Sequence, residues 1–489
     1  MVGITAYSGY VPKLRLGRKK IFSAMGWFNA ANYSYAKGEK TVGNYDEDSL
    51  TMSVAAGMDC LDVVDRNNID VFYLASTTMP YQERQNASIV AMALDLKSNT
   101  RTGDMTGSTR AGTTALLNAF DAVDAGDAKN AMVCMGDCRQ GKAGSIQEHL
   151  YGDGAAAFVV GKEDVLASFE GSYSITDDFA DRRRAAWEEF DHAWEERWVR
   201  EEGYARNIIE AVSGLLKKYD LELNAFSKLV FTCPYARVHA NIARKMGAEA
   251  EKLQDHMFEV MGDTGAAYAP MMLVAALEEA SPGDLILVAG YGSGCDAMYF
   301  KVTENIEKVK MPASFRERLA LKKELDNYEK YLVFRNMLPL EIGIRGEEVP
   351  ITAFSALWRD RKTVLSLYGT KCRRCGTPHF PRQRVCVNPE CGAIDEMDDY
   401  CFSNRKGNIF TYTADNLSFS YSPPAIYGVI DFEGGGRYWF DFTDCDLEGI
   451  EVGMPVEMSF RRKYLDKQRG TSGYFWKAVP VEGHAGGGA

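Results

Sequence analysis

Residues 103–116 read Gly103-Asp104-Met105-Thr106-Gly107-Ser108-Thr109-Arg110-Ala111-Gly112-Thr113-Thr114-Ala115-Leu116, a turn of small residues that runs into an apolar helix. Apolar residues then recur at helical spacing, at Ala111, Ala115, Leu116, Ala119, Phe120 and Val123, and Gly126 stands where a carboxyl-terminal cap belongs. The stretch predicts a turn at the amino end of a buried helix. Unpaired N–H groups and the helix dipole at such an end stabilise a thiolate or a developing oxyanion, which suits an acyl-transfer site. A tight strand-to-helix turn in any α/β protein is the structural alternative.

Size and composition indicate ordinary globular domains. The 489 residues, 46% hydrophobic and 25% charged, suffice for two to four domains and contain no apolar run long enough to cross a bilayer. The net charge of -12 argues against a nucleic-acid partner, because nothing offsets repulsion from phosphates. The first residues lead into strand-like sequence without the features of a signal peptide, so we expect a cytoplasmic protein with no membrane partner.

Strands and helices alternate along residues 1–310. The pattern predicts strands at 69–74, 131–135, 155–160, 228–231, 285–289 and 297–302, and a helix at 86–96. This order indicates a layered α/β fold. We assign an amino-terminal half to 1–165 and a carboxyl-terminal half to 166–310.

The two halves look like copies of one another. The ordered pattern Gly103-Asp104, Ala115-Leu116, Gly126-Asp127 is similar to Gly262-Asp263, Ala276-Leu277, Gly283-Asp284. A duplicated α/β fold suggests a site at the junction of its halves. Between the two patterns, residues 177–202 are dense in charge and carry three tryptophans. We interpret them as a solvated helical excursion packed on a neighbour, with a nucleic-acid patch as the alternative. Residues 311–350 are predicted to be a linker with an amphipathic helix.

The eleven cysteines include one tight cluster, Cys372, Cys375, Cys386 and Cys391. Two pairs at this spacing, each followed by Gly376 or Gly392, are typical of a tetrathiolate zinc site. Such a site leaves no open coordination position, so the Zn²⁺ is expected to be structural. Two disulfides are the alternative, which a reducing compartment disfavours.

The remaining sequence changes to short β segments. We assign 351–400 to a rubredoxin-like zinc ribbon with a preceding helix, 401–480 to a small OB-fold barrel and 481–489 to a flexible tail. Five strands are predicted at 407–414, 425–432, 437–443, 455–461 and 473–480.

Several ordered motifs resemble the thiolase superfamily, in particular 3-hydroxy-3-methylglutaryl-CoA synthases of the archaeal type. They are Gly38-Glu39-Lys40-Thr41-Val42, Asp46-Glu47-Asp48, Ser76-Thr77-Thr78-Met79-Pro80-Tyr81, Ala111-Gly112-Thr113, Gly136-Asp137-Cys138-Arg139-Gln140-Gly141, Pro234 and Tyr291-Gly292-Ser293-Gly294. The resemblance covers about residues 1–305 and implies the duplicated five-layer α-β-α-β-α fold, a CoA thioester substrate and a homodimer. Residues 351–480 look like the zinc-ribbon and OB-fold family that accompanies such enzymes as a separate acyl-CoA-binding subunit, here fused.

The catalytic residues that the resemblance implies are not retained. The nucleophilic cysteine falls on Thr109, or on Ser108 if the turn shifts by one residue, and the acid/base glutamate falls on Thr77. The histidine position is Thr232, and the neighbouring asparagine position is Asp263. An alcohol needs an adjacent base to attack a thioester, and no histidine is matched to Thr109, which disfavours a covalent acyl-enzyme.

Other residues remain candidates for the chemistry. Asp263 is proposed as the general base, with Tyr81, Tyr235 and Tyr268 as alternatives, although Asp263 could instead cap a helix. Arg110 could bind a substrate carboxylate or face solvent. Ser293 and Gly294 are assigned to substrate binding with Ser108, Thr77 and Thr232, while Cys233, or Cys138 or Cys295, could be a relocated nucleophile or a small core residue. The basic run Arg15, Arg18, Lys19 and Lys20 could meet the CoA phosphates or be solvated.

Three functions stay open. The first is an acyl-CoA aldolase or retro-aldolase without a covalent intermediate, which cysteine-less relatives paired with zinc-ribbon/OB subunits imply. The second is a Claisen-type synthase with a relocated nucleophile. The third is an acyl-CoA-binding scaffold whose OB module docks a partner enzyme of the same pathway.

Overall fold

The computed structural model describes residues 1–342 and 352–481. The end of the predicted linker and nearly all of the predicted tail lie outside these residues. Contacts divide the chain into two compact units, the first comprising 1–43, 48–91 and 96–335, the second 44–47, 92–95 and 336–489. The boundaries assigned from the sequence between the two halves and at the linker stay predictions.

Fourteen strands and eleven α-helices are described up to residue 335. The strands are β1 Gly3–Tyr10, β2 Leu14–Gly17, β3 Glu39–Val42, β4 Ile69–Ala75, β5 Arg101–Met105, β6 Asn130–Cys138, β7 Asp153–Gly161, β8 Ala167–Thr176, β9 Arg182–Arg183, β10 His192–Ala193, β11 Lys228–Phe231, β12 Leu285–Tyr291, β13 Gly294–Val302 and β14 Lys323–Glu324. The helices are α1 Arg18–Met25, α2 Ser49–Val63, α3 Asn86–Ala93, α4 Ala111–Asp124, α5 Ile146–Leu150, α6 Glu196–Trp198, α7 Arg206–Tyr219, α8 Ala236–Met246, α9 Tyr268–Glu279, α10 Phe315–Ala320 and α11 Tyr328–Phe334. Apart from the helical excursion predicted at 177–202, every strand and helix predicted for residues 1–310 is present, with ends that differ by a few residues at most.

A nine-stranded sheet runs through both halves in the order β11-β12-β13-β8-β1-β7-β6-β4-β5. Its outer pairs, β11 with β12 and β4 with both β5 and β6, are parallel, and the inner strands are antiparallel. The halves join where β1 pairs with β8, at Gly3 with Ser168 and Ile4 with Ala167. The duplicated halves therefore share one hydrogen-bonded sheet.

The helices α4 and α9 lie between the two halves of the sheet. Helix α4 contacts β4, β6 and β7, while α9 contacts β11 and β12 as well as β1 and β7. Both helices contribute to one apolar core, in which Leu116, Phe120, Met271 and Leu273 are buried. Because α2 covers the outer face of the first half and α7 that of the second, the layers follow the predicted α-β-α-β-α order.

Residues 177–205 form an irregular segment, which we call the strap. Its first part contains the two-residue strands β9 and β10, and it ends in α6 and a π-helix at Val199–Ala205. The side chains of Arg182 and Asp191 are only 7% and 5% exposed. The first part of the strap therefore packs on the halves as predicted, but it is not helical, and Arg182 and Asp191 pair with Asp263 and Arg139 instead of facing water.

Residues 311–335 also differ from the predicted linker helix. They form α10 and α11, and between them β14 pairs with β2. Phe315 is fully buried beside Gly9. This stretch belongs to the first unit.

The second unit contains α12 Phe354–Arg359, α13 Arg361–Ser366 and two small sheets. The first sheet consists of β15 Tyr368–Cys372, β16 Pro378–His379 and β17 Met397–Cys401; the second consists of β18 Gly407–Asp415, β19 Ala425–Phe432, β20 Arg437–Asp441, β21 Pro455–Asp466 and β22 Thr471–Pro480. The second sheet has the order β20-β19-β18-β21-β22, and a bridge between Phe442 and Ala478 links its two ends. All five predicted strands of the barrel are confirmed.

Across the residues that the structure describes, every helix is too short or too polar to cross a membrane.

Candidate active site at two helix starts

A small cavity lies where the chain enters α4 and α9. Its lining consists of Thr109, Tyr204, Thr232, Asp263, Gly265, Tyr268, Ala269, Gly290 and Tyr291. Its volume of about 10 Å³ leaves room for about one water molecule. The structure thus brings together four of the residues proposed from the sequence, Thr109, Thr232, Asp263 and Tyr268, and they come from both halves.

The turn before α4 packs against the loop between β12 and β13. Thr109 Oγ1 donates a hydrogen bond to the carbonyl oxygen of Tyr291 at 2.8 Å. Ser108 Oγ accepts a bond from the amide of Arg110 at 3.3 Å. A Cβ added at Gly292 would overlap both hydroxyl groups, so this approach requires glycine. Ser293 follows in the same loop, and Gly294 is the first residue of β13.

Arg110 makes an internal ion pair. Its guanidinium donates to the carbonyl oxygen of Ile175 at 2.5 Å and lies 3.6 Å from Asp296. Asp296 also accepts bonds from Thr113 and Thr114, at 3.1 and 2.7 Å, in the first turn of α4. The structure therefore gives Arg110 a role in fixing the helix start, which differs from the two alternatives weighed for it.

The charged group at the cavity is the carboxylate of Asp263, which lies in the turn before α9. Asp263 Oδ1 accepts a hydrogen bond from the amide of Gly265 at 3.0 Å. Asp263 Oδ2 accepts from Arg182 at 2.6 Å and lies 3.7 Å from Arg139. With 3% of its surface exposed, Asp263 lies beside two cations and away from bulk water.

Asp137, at the end of β6, connects Thr77 to this second turn. The carboxylate is fully buried and accepts five hydrogen bonds, from Ser76 Oγ, Thr77 N, Thr77 Oγ1, Thr78 Oγ1 and Ala266 N, at 2.7 to 2.9 Å. A Cβ at Gly265, whose φ is +59°, would overlap Asp137 Oδ2. Thr77 thus donates to a buried carboxylate close to the cavity.

The three candidate tyrosines have other hydroxyl partners. Tyr268 lines the cavity, but its hydroxyl donates to the carbonyl oxygen of His256 at 2.7 Å. The Tyr235 hydroxyl donates to Glu196, and that of Tyr81 accepts from Arg84 at 2.8 Å. Burial raises the pKa values of Tyr268 and Tyr235 well above that of a free phenol. Both phenols therefore stay protonated.

The cysteines near the site are protonated thiols. Cys233 is fully buried, donates to the carbonyl oxygen of Tyr235 at 3.6 Å, and its pKa is raised by burial to about 12. Burial also raises the pKa values of Cys138 and Cys295. A reactive cysteine requires the opposite shift, so these environments suit core residues.

An arginine cluster is the feature that sequence reasoning missed. Arg139 follows β6, whereas Arg182 and Arg184 lie on the strap. Arg139 and Arg184 both pair with Asp191, at 2.7 and 2.8 Å. The motif at 136–141 and the run at 182–184 were visible as sequence features, but no spacing indicated that the fold joins them.

The basic residues near the amino terminus differ in burial. Arg15 and Arg18 are buried, and Arg18 donates to the carbonyl oxygens of His149 and Phe258, both at 2.7 Å. Lys19 and Lys20 remain at the surface, where Lys20 pairs with Glu324 at 2.6 Å.

The four clustered cysteines of the second unit form a metal site. Their sulfur atoms lie within 4.8 Å of one another, with Cys372 to Cys391 at 3.8 Å and Cys375 to Cys386 at 3.5 Å. Sulfur atoms at ~2.3 Å from a tetrahedral zinc are separated by ~3.8 Å, so the spacing fits Zn²⁺. Coordination by four thiolates would cross-link the two loops and supply folding energy.

Three family models match separate parts of the chain. Residues 216–301 match the C-terminal domain of 3-oxoacyl-[acyl-carrier-protein] synthase III. Residues 359–395 match the rubredoxin-like zinc ribbon domain of ChsH2, and residues 402–461 match the C-terminal OB-fold domain of ChsH2. The duplicated α/β fold, the zinc ribbon and the OB fold are thus all found in one chain.

Whole-chain comparisons extend the likeness across the first unit. Hydroxymethylglutaryl-CoA synthase of Methanopyrus kandleri is 31% identical over 69% of this chain and 98% of its own length, and that of Methanocaldococcus jannaschii is 30% identical over 70% and 100%. A crystal structure of HMG-CoA synthase complexed with CoA aligns with a TM-score of 0.61 at 17% identity, covering 72% of this chain and 94% of the other. A crystal structure of an OleA variant from Xanthomonas campestris aligns at 0.56 with 16% identity, over 62% and 96%. With this coverage and identity, the chain belongs to the hydroxymethylglutaryl-CoA synthase family.

Proposed function

We propose that this protein is an acyl-CoA-dependent enzyme that makes or breaks a carbon–carbon bond by aldol chemistry, without a covalent acyl-enzyme. The hydrogen bonding of Thr109, at the position of the family's nucleophile, supports this proposal. Thr109 stands at the start of α4 with its hydroxyl proton bonded to the carbonyl oxygen of Tyr291. Of the nearby thiols, Cys233 and Cys295 are buried and Cys138 is partly buried, and burial raises the pKa values of all three. An acyl group therefore has no activated acceptor, whereas enolate chemistry needs none.

The proposed step uses Asp263 as its base. In the cleavage direction, Asp263 accepts the proton of a 3-hydroxyl group, and the bond between Cα and Cβ breaks as the carbonyl forms. The electron pair of that bond remains on the thioester enolate, which then takes a proton at Cα. Asp263 is the carboxylate among the residues that line the cavity. Arg182, which pairs with it at 2.6 Å, must shift for Asp263 to accept the proton.

A groove on the first unit supports the CoA part of the proposal. Helix α1 contributes Lys19 and Phe22 to its lining, and the following 3₁₀-helix Ala30–Tyr35 contributes Tyr33. Trp27, between the two helices, and Lys37, after the second, complete it. Trp27 is 82% exposed, and an exposed indole beside lysines suits a purine ring with its phosphates.

The 3₁₀-helix that lines part of the groove also contacts the second half. Tyr35, in the same 3₁₀-helix as Tyr33, packs against the apolar cluster that contains Tyr204, Tyr235 and Tyr291. Two of those residues, Tyr204 and Tyr291, line the cavity. This shared cluster supports a CoA chain that runs from the groove toward the helix starts.

Mass spectrometry of the intact protein with a panel of acyl-CoAs that includes 3-hydroxyacyl-CoAs, the substrates of the cleavage direction, tests the proposal. We expect an unmodified protein mass together with a released aldehyde or ketone in the same mixture. An acyl adduct would overturn the non-covalent mechanism. Tight acyl-CoA binding without adduct or product across the panel would instead identify a binding scaffold.

A second candidate is a hydroxymethylglutaryl-CoA synthase-like Claisen condensation with Cys233 as nucleophile. The favouring observation is that the Methanopyrus kandleri relative bearing that name is 31% identical and covered over 98% of its length. In that reaction the thiolate would take an acyl group from one thioester and release free CoA. The peptide containing Cys233 would then gain the acyl mass, and Cys233→Ser would remove it.

We also propose that the protein forms a homodimer, that it is located in the cytoplasm, and that it acts with a partner enzyme of the same pathway. Size-exclusion chromatography with light scattering checks the first, since a monomer at micromolar concentration would exclude it.

A further inference from the structure

Three tyrosines line the cavity, and their hydroxyl groups differ in hydrogen bonding. Tyr268 donates to the carbonyl oxygen of His256 at 2.7 Å, and Tyr291 donates to the carboxylate of Asp181 at 2.8 Å. Among the residues that the structure describes, the contacts of Tyr204 are ring contacts, and its hydroxyl group has no hydrogen-bond partner. Tyr204 is only 4% exposed. A buried hydroxyl group ordinarily has a partner, so that of Tyr204 is available to a ligand in the cavity.

The π-helix Val199–Ala205 brings Tyr204 to the cavity. Gly203 and Tyr204 are both buried residues of this helix. A Cβ at Gly203 would overlap the hydroxyl group of Tyr291, so the close approach of the helix requires glycine. The ring centroids of Tyr204 and Tyr291 are then 4.2 Å apart. Short π-helical segments are rare and occur frequently at functional sites, which is consistent with a chemical role for this one.

Apolar packing holds Tyr204 in place, whereas ion pairs hold the first part of the strap. Tyr204 belongs to the apolar cluster that also contains Tyr235 and Tyr291. Arg182 and Asp191 are instead held by charged partners. The cavity of about 10 Å³ is too small for an acyl group, so its lining must separate when a substrate binds. We expect the ion-paired part of the strap to move, which leaves Tyr204 facing the bound acyl group.

We propose that Tyr204 is a further catalytic residue, which gives the thioester enolate its proton at Cα. The inference rests on the proposed function, because that reaction forms an enolate in need of a proton. Tyr204 and Asp263 both line the cavity. The base that accepts the proton of the 3-hydroxyl group and the donor that protonates Cα are therefore two residues of one site.

The proton transfers balance without a further reactant. In the cleavage direction, Asp263 takes the proton of the 3-hydroxyl group, and the O–H bond of Tyr204 breaks as a C–H bond forms at Cα. The electron pair of the enolate enters the new C–H bond, and the pair of the O–H bond stays on the phenolate oxygen. The phenolate then recovers a proton from protonated Asp263, directly or through one water molecule. The net change is the transfer of one proton from the 3-hydroxyl group to Cα.

The surroundings of Tyr204 suit a proton donor. Burial raises the pKa of its phenol well above the usual value, although Arg182 acts in the opposite direction. The phenol is therefore protonated when the enolate forms. Because a carbanion next to a thioester is more basic than a phenolate, the transfer is favourable. The guanidinium of Arg182, 5.9 Å from the ring centroid of Tyr204, then stabilises the phenolate.

Hydrogen exchange at Cα in D₂O isolates this step, because it requires no carbonyl partner. We expect the unmodified protein to deuterate Cα of acetyl-CoA, propionyl-CoA or butyryl-CoA, measured by mass spectrometry. Tyr204→Phe should slow this exchange by about a hundredfold or more. Its melting temperature should stay within about 2 °C, because the hydroxyl group has no hydrogen bond to lose. Tyr219→Phe is the matched control and should keep the exchange, since the Tyr219 hydroxyl bonds Ser172 outside the cavity lining.

Exchange that persists in Tyr204→Phe would overturn the assignment. Lost exchange together with a melting temperature lowered by about 5 °C or more would also overturn it, because the hydroxyl group would then support the fold. If the protein cleaves a 3-hydroxyacyl-CoA but the acyl-CoA that it releases shows no Cα exchange, the inference fails and the proposed function stands. If the protein neither cleaves nor exchanges any of these thioesters, the proposed function fails as well.

Discussion

The starts of α4 and α9 occupy matching places in the two halves, yet they contribute differently to the cavity. At α4, Thr109 is bonded to a backbone carbonyl, and the nearest cation, Arg110, pairs with Asp296. At α9, Asp263 lines the cavity and pairs with Arg182. The carboxylate that lines the cavity therefore lies at the second start, although the motifs at the first resemble the family's nucleophile turn.

Each of the two helix starts accepts support, in the form of a hydrogen bond, from a residue of the other half. Asp137, at the end of β6 in the first half, accepts a bond from Ala266 before α9. Tyr291, at the end of β12 in the second half, accepts a bond from Thr109 before α4. One support is a buried carboxylate and the other a backbone carbonyl. The two halves therefore share the geometry at the junction but differ in the side chains there. Because only the second start is held by a side chain, side-chain substitutions should affect it more strongly.

The largest effect is expected for Asp137→Ala, which removes the support of the second start. Five donors lose their acceptor, so the free energy of unfolding of the first unit should fall by about 4 kcal/mol. Urea unfolding followed by tryptophan fluorescence measures this change. Asp137→Asn should lose less, because its amide oxygen can still accept. A loss below about 1 kcal/mol for Asp137→Ala would show that the donors find water instead.

Asp263→Asn tests whether the second start carries the chemistry. Turnover should fall by about a thousandfold, the range of a missing general base, while acyl-CoA affinity stays within about twofold. Product formation and calorimetric titration give the two values.

Asp191→Asn is the matched control for Asp263→Asn, because it breaks a buried pair with the same Arg139 outside the cavity lining. Its turnover should change much less. Unchanged turnover in Asp263→Asn would remove this residue as the base and leave the carboxylate as an ion-pair partner only.

Gly112→Ala probes the contact between the two starts. A Cβ at Gly112 would overlap the carbonyl oxygen of Ala266, so α4 and the turn before α9 must move apart. We expect a loss of about 2 kcal/mol in stability, since the overlap is with backbone. Gly17→Ala, at φ −63° with no neighbour within 4 Å, should change stability little. Equal melting temperatures of the two variants would mean that the starts are not in tight contact.

Local patterns predicted the elements of this fold because their causes are local. The buried strand β11 has the bounds 228–231 expected from its apolar run, and the cysteines at 372–391 reveal a zinc site because all four ligands lie within twenty residues. The strap was misread because its charges look solvated in sequence, and only the tertiary structure pairs Arg182 with Asp263, 81 residues away.

The candidate site was predicted in part for the same reason. Thr109, Thr232 and Asp263 were found through motifs that resemble a family, and the structure brings them to one cavity. Arg139 lies in the motif at 136–141, but no local pattern indicates that it pairs with Asp191, since a buried ion pair 52 residues apart depends on the fold that buries it.

The smallest effect is expected for Thr109→Val, which keeps the shape of the first start and removes its hydroxyl. Loss of the bond to Tyr291 should cost about 1 kcal/mol of stability, and kcat should change by less than about threefold because the proposed mechanism does not use this hydroxyl. Thr109→Cys should likewise form no acyl adduct by intact mass, because Thr232 and Thr77 provide no base to ionise the thiol. A hundredfold loss of turnover in Thr109→Val would return the chemistry to the first helix start, and an adduct on Thr109→Cys would show that this start still activates a nucleophile.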